Sequence, residues 1–212
     1  MRAHAAAFAR RGFVAASIIA FAFFGYGCGG GSSSSFSAQF TPSATAPALH
    51  LIKLVQKSHS GGRVVVQAVI YGPDVSLDMF SFAFDVKIGD PTVLKFVTGS
   101  AVAGDALQAF AGQSITTVVG PDGSDASHIV VGVSKLGGGS GNGVAGNSAV
   151  IVSLTFQVLK TGTSTLALTG STANPSQPPA VLDSSDPPQV IAGINFDAAT
   201  GTVTGISTGG GY

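Results

Sequence analysis

The stretch Phe80–Val97, FSFAFDVKIGDPTVLKFV, decides the fold class of this chain. Apolar and polar residues alternate over its first nine positions, and successive side chains of a β-strand point to opposite faces of a sheet. The pattern predicts a strand with Phe80, Phe82, Phe84, Val86 and Ile88 facing a core and Ser81, Ala83, Asp85 and Lys87 facing solvent. Each aromatic side chain buries about 150–250 Å², so three of them on one face require a second layer of structure.

A turn is predicted directly after this strand, at Gly89–Thr92. Pro91 has no N–H to donate to a sheet, and Asp90 is a residue type that favours turns. The apolar segment that follows, Val93–Val97, is predicted to form the next strand.

Short apolar runs separated by Gly, Pro, Asp and Ser continue along the chain from Leu49. No stretch has a long helical period of apolar residues, so the pattern predicts no long helix. The predicted strands are 49–57, 63–71, 80–88, 93–97, 115–119, 128–135, 149–159, 163–169, 189–196 and 201–206. Short and evenly spaced strands are typical of a two-sheet β-sandwich, and the prediction is an all-β jelly roll of about nine strands.

The composition favours the same fold class. Only 9% of the 212 residues are charged, whereas about 25% is usual for globular domains. All ten acidic residues are Asp, and few strong helix formers remain. When Arg2, Arg10 and Arg11 of the amino-terminal segment are left out, the rest of the chain has 7 of the 10 basic residues and all 10 Asp. Its formal net charge is therefore −3. That balance offers no basic surface for nucleic acid.

Residues 1–28 are predicted to be a lipoprotein-type signal peptide. A basic start precedes the apolar run Phe13–Phe24, which at twelve residues is too short for a membrane-spanning helix of about 20. Cys28 is the only cysteine and follows this run after Gly25–Gly27, which predicts lipidation of its thiol and anchoring to a bacterial membrane. Secretion after cleavage near the same point is the alternative.

The remaining domain boundaries follow from low-complexity sequence. Residues 29–47 are rich in Gly, Ser and Pro and are predicted to be a flexible tether. Residues 48–207 are predicted to form the β-sandwich, and 208–212 a Gly-rich tail.

Signals for catalysis are weak. Half of the Asp residues stand next to Pro or Gly, where turn formation is their usual role. The histidines have no metal-ligand spacing, and no Gly-x-Ser-x-Gly motif is present. Gly137–Gly146 lacks the Lys-Ser/Thr ending of a phosphate-binding loop and is predicted to be a flexible hairpin loop. The prediction is therefore a protein that is not an enzyme and has no catalytic residue, metal site or cofactor of its own.

Two other ligand classes, calcium and carbohydrate, have weaker support in the sequence. Asp122–Asp125 and Asp183–Asp186 each place two carboxylates three residues apart, but calcium requires six to eight oxygens. Turns are therefore the preferred interpretation of both. Carbohydrate binding on a flat surface requires aromatic platforms, and the chain has no Trp. A polar groove for soluble glycans remains an alternative.

Two motifs carry a family resemblance. Asp90–Phe96, DPTVLKF, is followed about ten residues later by Gly104–Leu107, GDAL, and further on by Val152–Leu159 and Thr163–Leu168. The order and spacing resemble the cohesin domain over residues 50–206, although Gly89 stands where the family has a tyrosine. The resemblance implies a nine-stranded jelly roll like that of carbohydrate-binding modules. It also implies binding of calcium-loaded dockerin modules in the assembly of polysaccharide-degrading complexes.

The resulting hypothesis is a non-catalytic, extracytoplasmic module that holds a protein partner of the dockerin type. The expected contact residues are Ser81, Ala83, Asp85 and Lys87, the solvent-facing set of the central strand. Any calcium is expected on the partner rather than on this chain. The alternatives are a carbohydrate-binding module and an adhesive or structural surface lipoprotein.

Overall fold

A computed structural model describes residues 35–123, 125–170 and 177–208. The predicted signal peptide 1–28, Cys28 and the start of the predicted tether lie outside the described residues. Fifteen strands and no helix occur in the described ranges: β1 Phe36–Pro42, β2 Leu51–Ser60, β3 Arg63–Tyr71, β4 Asp74–Met79, β5 Ser81–Ile88, β6 Leu94–Phe96, β7 Val102–Ala103, β8 Ser114–Asp122, β9 Asp125–Leu136, β10 Asn142–Val144, β11 Ser148–Val158, β12 Gly162–Thr169, β13 Ala180–Leu182, β14 Asn195–Phe196 and β15 Gly201–Ser207. Accordingly, none of the described residues belongs to a helix with the length and hydropathy to cross a bilayer.

The strands form two layers. The front sheet has the order β1-β15-β12-β5-β9-β8, with β13 added beside β5. The back sheet has the order β14-β2-β3-β11-β6, with β7 added beside β11. A small ribbon of β4 and β10 completes the domain. All pairs are antiparallel except β14 with β2, and the predicted β-sandwich is confirmed.

The central strand β5 has the predicted alternation. Phe82, Phe84, Val86 and Ile88 are buried in the core between the sheets, whereas Phe80 precedes the strand and is half-buried. The Phe84 ring lies 5.9 Å from that of Phe196, and the Phe96 ring packs edge-on against Phe156 at the same distance. The contact between Phe84 and Phe196 joins the two sheets, whereas Phe96 and Phe156 are cross-strand neighbours within the back sheet.

Four turns share one hydrogen-bonding pattern. In each, an aspartate Oδ1 accepts both the backbone N–H and the hydroxyl of a Ser or Thr two residues later. The pairs are Asp74–Ser76, Asp90–Thr92, Asp125–Ser127 and Asp183–Ser185. The short Asp side chain reaches this position, which explains why turns here use Asp.

The tether prediction is wrong for Phe36–Pro42, which form β1 and pair with β15 along their whole length. Ala38 and Phe40 are buried in the core. Their alternation with Ser37 and Gln39 was the available signal, but the surrounding Gly, Ser and Pro residues concealed it. Lys53 holds the next segment in place through hydrogen bonds from Nζ to the carbonyl oxygens of residues 43 and 45, at 3.2 and 2.6 Å.

The Gly137–Gly146 segment is also more ordered than predicted. It contains β10, and Val144 is fully buried. A side chain at Gly141 or Gly143 would overlap the backbone of β4. Glycine is therefore required here by close backbone approach rather than by flexibility.

The predicted strand 189–196 is largely absent. Val190 makes a single bridge to Leu182, and only Asn195–Phe196 form a strand, β14. Short strands such as β4, β7, β10 and β13 were not predicted, because two to six residues carry too little periodicity to be recognised.

Candidate functional site

The outer face of the front sheet carries the candidate contact residues. Antiparallel register places Ser81 opposite Ser134, Ala83 opposite Gly132, and Lys87 opposite His128. Ala83 and Lys87 are exposed and Ser81 is half-buried. These three residues therefore lie on the predicted face of the sheet.

Asp85 does not fit the prediction of a surface contact, because only 2% of it is exposed. It lies where β12 ends and β13 begins along the same edge of β5, with Thr169 as its cross-strand neighbour. Gln177 and Pro178 pack beside Gly170, directly after that neighbour. Alternation alone assigned Asp85 to solvent, but the chain that returns to form β13 crowds this position.

A groove of about 450 Å³ runs across β13, β5, β9 and β8 on this face. Its floor is the cross-strand pair Ala83 and Gly132. Ala83 has only a methyl side chain, and Gly132 has none. Val118 and Val190 stand at its rims and are 66% and 65% exposed. The other lining residues are Phe84, Asp85, Val130, Val131, Gln177, Pro178, Ala180 and Leu182.

A hairpin forms one wall of the groove. Its two arms are joined by hydrogen bonds from Ile191 N to Val181 O at 2.8 Å and from Asp183 N to Gln189 O at 2.9 Å. Asp78 of β4 anchors the hairpin by accepting the N–H and the hydroxyl of Ser184, at 3.1 and 2.6 Å. The groove therefore has a wall fixed to the body of the domain.

A buried lysine stabilises the loops at the Ser81 end of the groove. Lys135 is 1% exposed, and its Nζ donates to Ser140 O at 2.8 Å and to Asn142 Oδ1 at 2.9 Å. The same nitrogen lies 4.1 Å from the centre of the Phe110 ring. Burial lowers the pKa of Lys135, and the negative charge of Asp78 opposes that shift. The hydrogen bonds to carbonyl oxygens and the contact with the Phe110 ring compensate the ammonium group for the water contacts that burial removes.

Charged groups gather at the other end of the face. His128 Nδ1 lies 2.7 Å from Asp125 Oδ2, and His128 is the cross-strand neighbour of Lys87. The pKa of Asp125 is lowered to about 2, mainly by hydrogen bonds from the side chain and backbone of Ser127. The hydrogen bond from His128 makes a smaller contribution. Among the groove-lining residues, by contrast, Asp85 alone is ionisable. The face thus divides into an apolar groove and a charged end.

No three His, Cys, Asp or Glu side chains in the described ranges are placed to hold a metal ion. Asp183, one of the carboxylates considered for calcium, accepts hydrogen bonds from Ser185 and Gln189 through Oδ1. That carboxylate therefore stabilises the tip of the hairpin.

Sequence reasoning did not identify Val118, Gly132 or Val190. These residues come together only through the register of β8 on β9 and through the hairpin that follows β13. Pairing across four strands has no local signal in the sequence. Ala83 was identified because it lies on the one strand whose alternation was clear.

No protein-family model and no curated protein matches the sequence. Among solved structures, the second type II cohesin module of the adaptor scaffoldin ScaA from Acetivibrio cellulolyticus matches with a TM-score of 0.52. The match has 14% identity and covers 72% of this chain and 88% of that one. Another crystal structure of that module matches with a TM-score of 0.51 and 14% identity, over 70% of this chain and 92% of that one. The fold is that of a cohesin module.

Both motifs behind the cohesin resemblance have structural roles in this domain. At the end of β5, a side chain at Gly89 would overlap the Thr165 hydroxyl, and Asp90 N donates to Ser164 Oγ at 2.9 Å. Asp105 Oδ1 accepts the Val150 N–H at 2.7 Å, and Leu107 is buried. The two motifs therefore hold edges of the cohesin-type sandwich and do not form the groove.

Proposed function

We propose that this chain is a non-catalytic binding module that holds a protein partner, of the dockerin type, on the outer face of its front sheet. The groove over Ala83 and Gly132 is the observation that carries this proposal. Its cohesin-type fold and the DPTVLKF and GDAL motifs support the choice of a dockerin-type partner. Ser81 and Lys87 flank the groove and contribute peripheral contacts.

The shape and chemistry of the groove suit a side chain presented by another protein. Its volume of about 450 Å³ accommodates one or two large apolar side chains. Exposed Val118 and Val190 would lose water on contact, and apolar anchors in such depressions supply most of the energy of protein interfaces. The partner is therefore expected to insert an aliphatic or aromatic side chain.

The ends of the described chain support tethering through the amino terminus. Ser35 and Thr208 are hydrogen-bonded to each other, so both ends leave the sandwich together. Counting along β1, β12 and β5 puts the row of Phe36 roughly 35 Å from the row of Ala83, at a rise of about 3.3 Å per residue. A lipid anchor at Cys28 would tether the module to a bacterial membrane, and secretion without the anchor is the alternative.

A capture experiment tests the proposal. The chain is immobilised and exposed to extracellular proteins of its source organism, and bound proteins are identified by mass spectrometry. Gly132→Leu is designed to fill the groove, and its Cβ meets no steric conflict, since its nearest neighbour, Val118 O, lies at 3.7 Å. Thr163→Leu adds the same side chain at an exposed position outside the groove.

Capture of dockerin-bearing proteins by the unmodified chain and by Thr163→Leu, but not by Gly132→Leu, is the expected result. Equal capture by all three would contradict the proposal. Retardation of the chain by a soluble polysaccharide in an affinity gel, with no protein captured, would favour the carbohydrate-binding alternative and a more direct link to polysaccharide degradation.

A further inference from the structure

Strand β8 is an edge of the front sheet, and in the described part of the chain it pairs with β9 alone. The opposite edge strand, β1, is treated differently. Ala38 N–H donates to Gly61 O at 2.9 Å, and Phe40 N–H donates to Gln56 Oε1 at 2.7 Å. Backbone groups of β1 that point away from the front sheet are thus bonded by the back sheet, whereas β8 presents its outer edge for pairing.

Over residues 114–120, the edge formed by β8 also lacks the features that normally prevent strand addition. Such edges usually carry charges, prolines or bulges. Residues 114–120 contain no charged residue and no proline, and the register shift lies beyond them at Pro121 and Asp122. On the core side, Ile115 and Val119 pack against the core yet remain half-buried. An added strand would cover them.

We infer that β8 pairs with β8 of a second copy of this chain, antiparallel, about a two-fold axis through Val118. That axis places Thr116 opposite Gly120 and Thr117 opposite Val119, within the regular part of the strand. No two like charges face each other, and the exposed Val118 side chains of the two copies meet at the centre. An isologous contact requires a self-complementary surface, and this strand provides one.

The proposed pairing would place the grooves of the two copies on the same side of the dimer. A two-fold axis that relates antiparallel strands is perpendicular to the sheet, so the outer faces of both front sheets would point to the same side. Val118 is also a rim residue of the groove, and the two grooves would therefore lie side by side. Such a pair can bind a partner with two linked modules more tightly than a single copy can. The pairing itself rests on the edge of the sheet and is independent of the proposed function.

Disulfide trapping in the full-length chain, expressed in bacterial cells and treated with a thiol oxidant, tests the inference. Val118→Cys should give several-fold more disulfide-linked dimer on a non-reducing gel than Val75→Cys, a control at a position that is 76% exposed on β4. The unmodified chain, which has Cys28, measures the background. Equal amounts of dimer from the two variants would overturn the inference.

The register is tested separately. Co-expressed Thr116→Cys and Gly120→Cys chains should link to each other more than either links to itself, because the proposed axis makes these positions neighbours; no preference overturns the register. Introducing Gly132→Leu into the Val118→Cys chain should leave the cross-link in place. Loss of the cross-link in that variant would mean that the groove, and not the edge of β8, brings the copies together.

Discussion

Ala83 and Gly132 lie opposite each other on β5 and β9, and the absence of larger side chains at this pair creates the groove of the front sheet. Strand β8 supplies Val118 on one side, and the hairpin that contains β13 supplies Leu182 and Val190 on the other, so a shallow apolar depression forms beside the more polar remainder of the face. A floor of two small residues between branched rims gives a partner's side chain a place to enter.

Phe82 is fully buried at the centre of the core, and its truncation should be costly. Phe82→Ala is expected to lower the free energy of unfolding by about 3–5 kcal/mol, because the lost burial is compounded by a cavity. Urea denaturation at neutral pH measures the effect. Val118→Ala, at an exposed position, should change the same quantity by no more than about 0.5 kcal/mol. Similar midpoints for the two variants would be inconsistent with the packing described.

Strand β1 is predicted to contribute strongly to stability. A chain that begins at residue 43 loses β1, including the buried Ala38 and Phe40. Its free energy of unfolding should fall by at least the cost of removing one buried Phe, about 3–5 kcal/mol, relative to a chain that begins at residue 35. Thermal and urea unfolding of the two chains measure the difference. If both chains are equally stable, 36–42 act only as the tether that the composition suggested.

The four aspartate turns predict destabilisation in acid. Hydrogen bonds from Ser or Thr lower the pKa of Asp74, Asp90, Asp125 and Asp183, that of Asp125 to about 2. A lowered pKa in the folded state means that the unfolded state binds protons first as the pH falls. The turns therefore contribute stability above about pH 4, and that contribution is lost as the pH falls towards about 2.

Urea denaturation over this range of pH measures the loss. Asp125→Asn keeps a hydrogen-bond acceptor but cannot titrate, so its unfolding free energy should depend less on pH than that of the unmodified chain. Identical pH dependence of the two proteins would show that Asp125 is not perturbed as described.

Lys87 should influence the rate of association rather than the lifetime of the complex. It is exposed and does not line the groove, and charges at the periphery of an interface act mainly through long-range steering. Lys87→Ala is expected to change the association rate constant at low salt, with an effect that disappears as salt is added. Surface plasmon resonance with a captured partner measures both rate constants. A faster dissociation of the variant at high salt would instead make Lys87 a direct contact.

Local patterns predicted the central strand, its buried face and the turn at Asp90. These features depend on alternation and turn chemistry within a few residues, which a single sequence records. Burial of Asp85 was not predictable, because it results from the place where β13 joins β5 beside the end of β12. The groove was missed for the same reason, since Val118, Gly132 and Val190 become neighbours only through the pairing of distant strands.

The affinity of the captured partner for a groove-filled variant tests the central claim most directly. Isothermal titration calorimetry would compare the unmodified chain, Ala83→Leu and Thr163→Leu. Occupation of the groove by the partner predicts a Kd at least about tenfold weaker for Ala83→Leu, equivalent to about 1.4 kcal/mol, and an unchanged Kd for Thr163→Leu. Equal affinities of Ala83→Leu and the unmodified chain, with both proteins folded, would contradict the claim that this groove is the binding site.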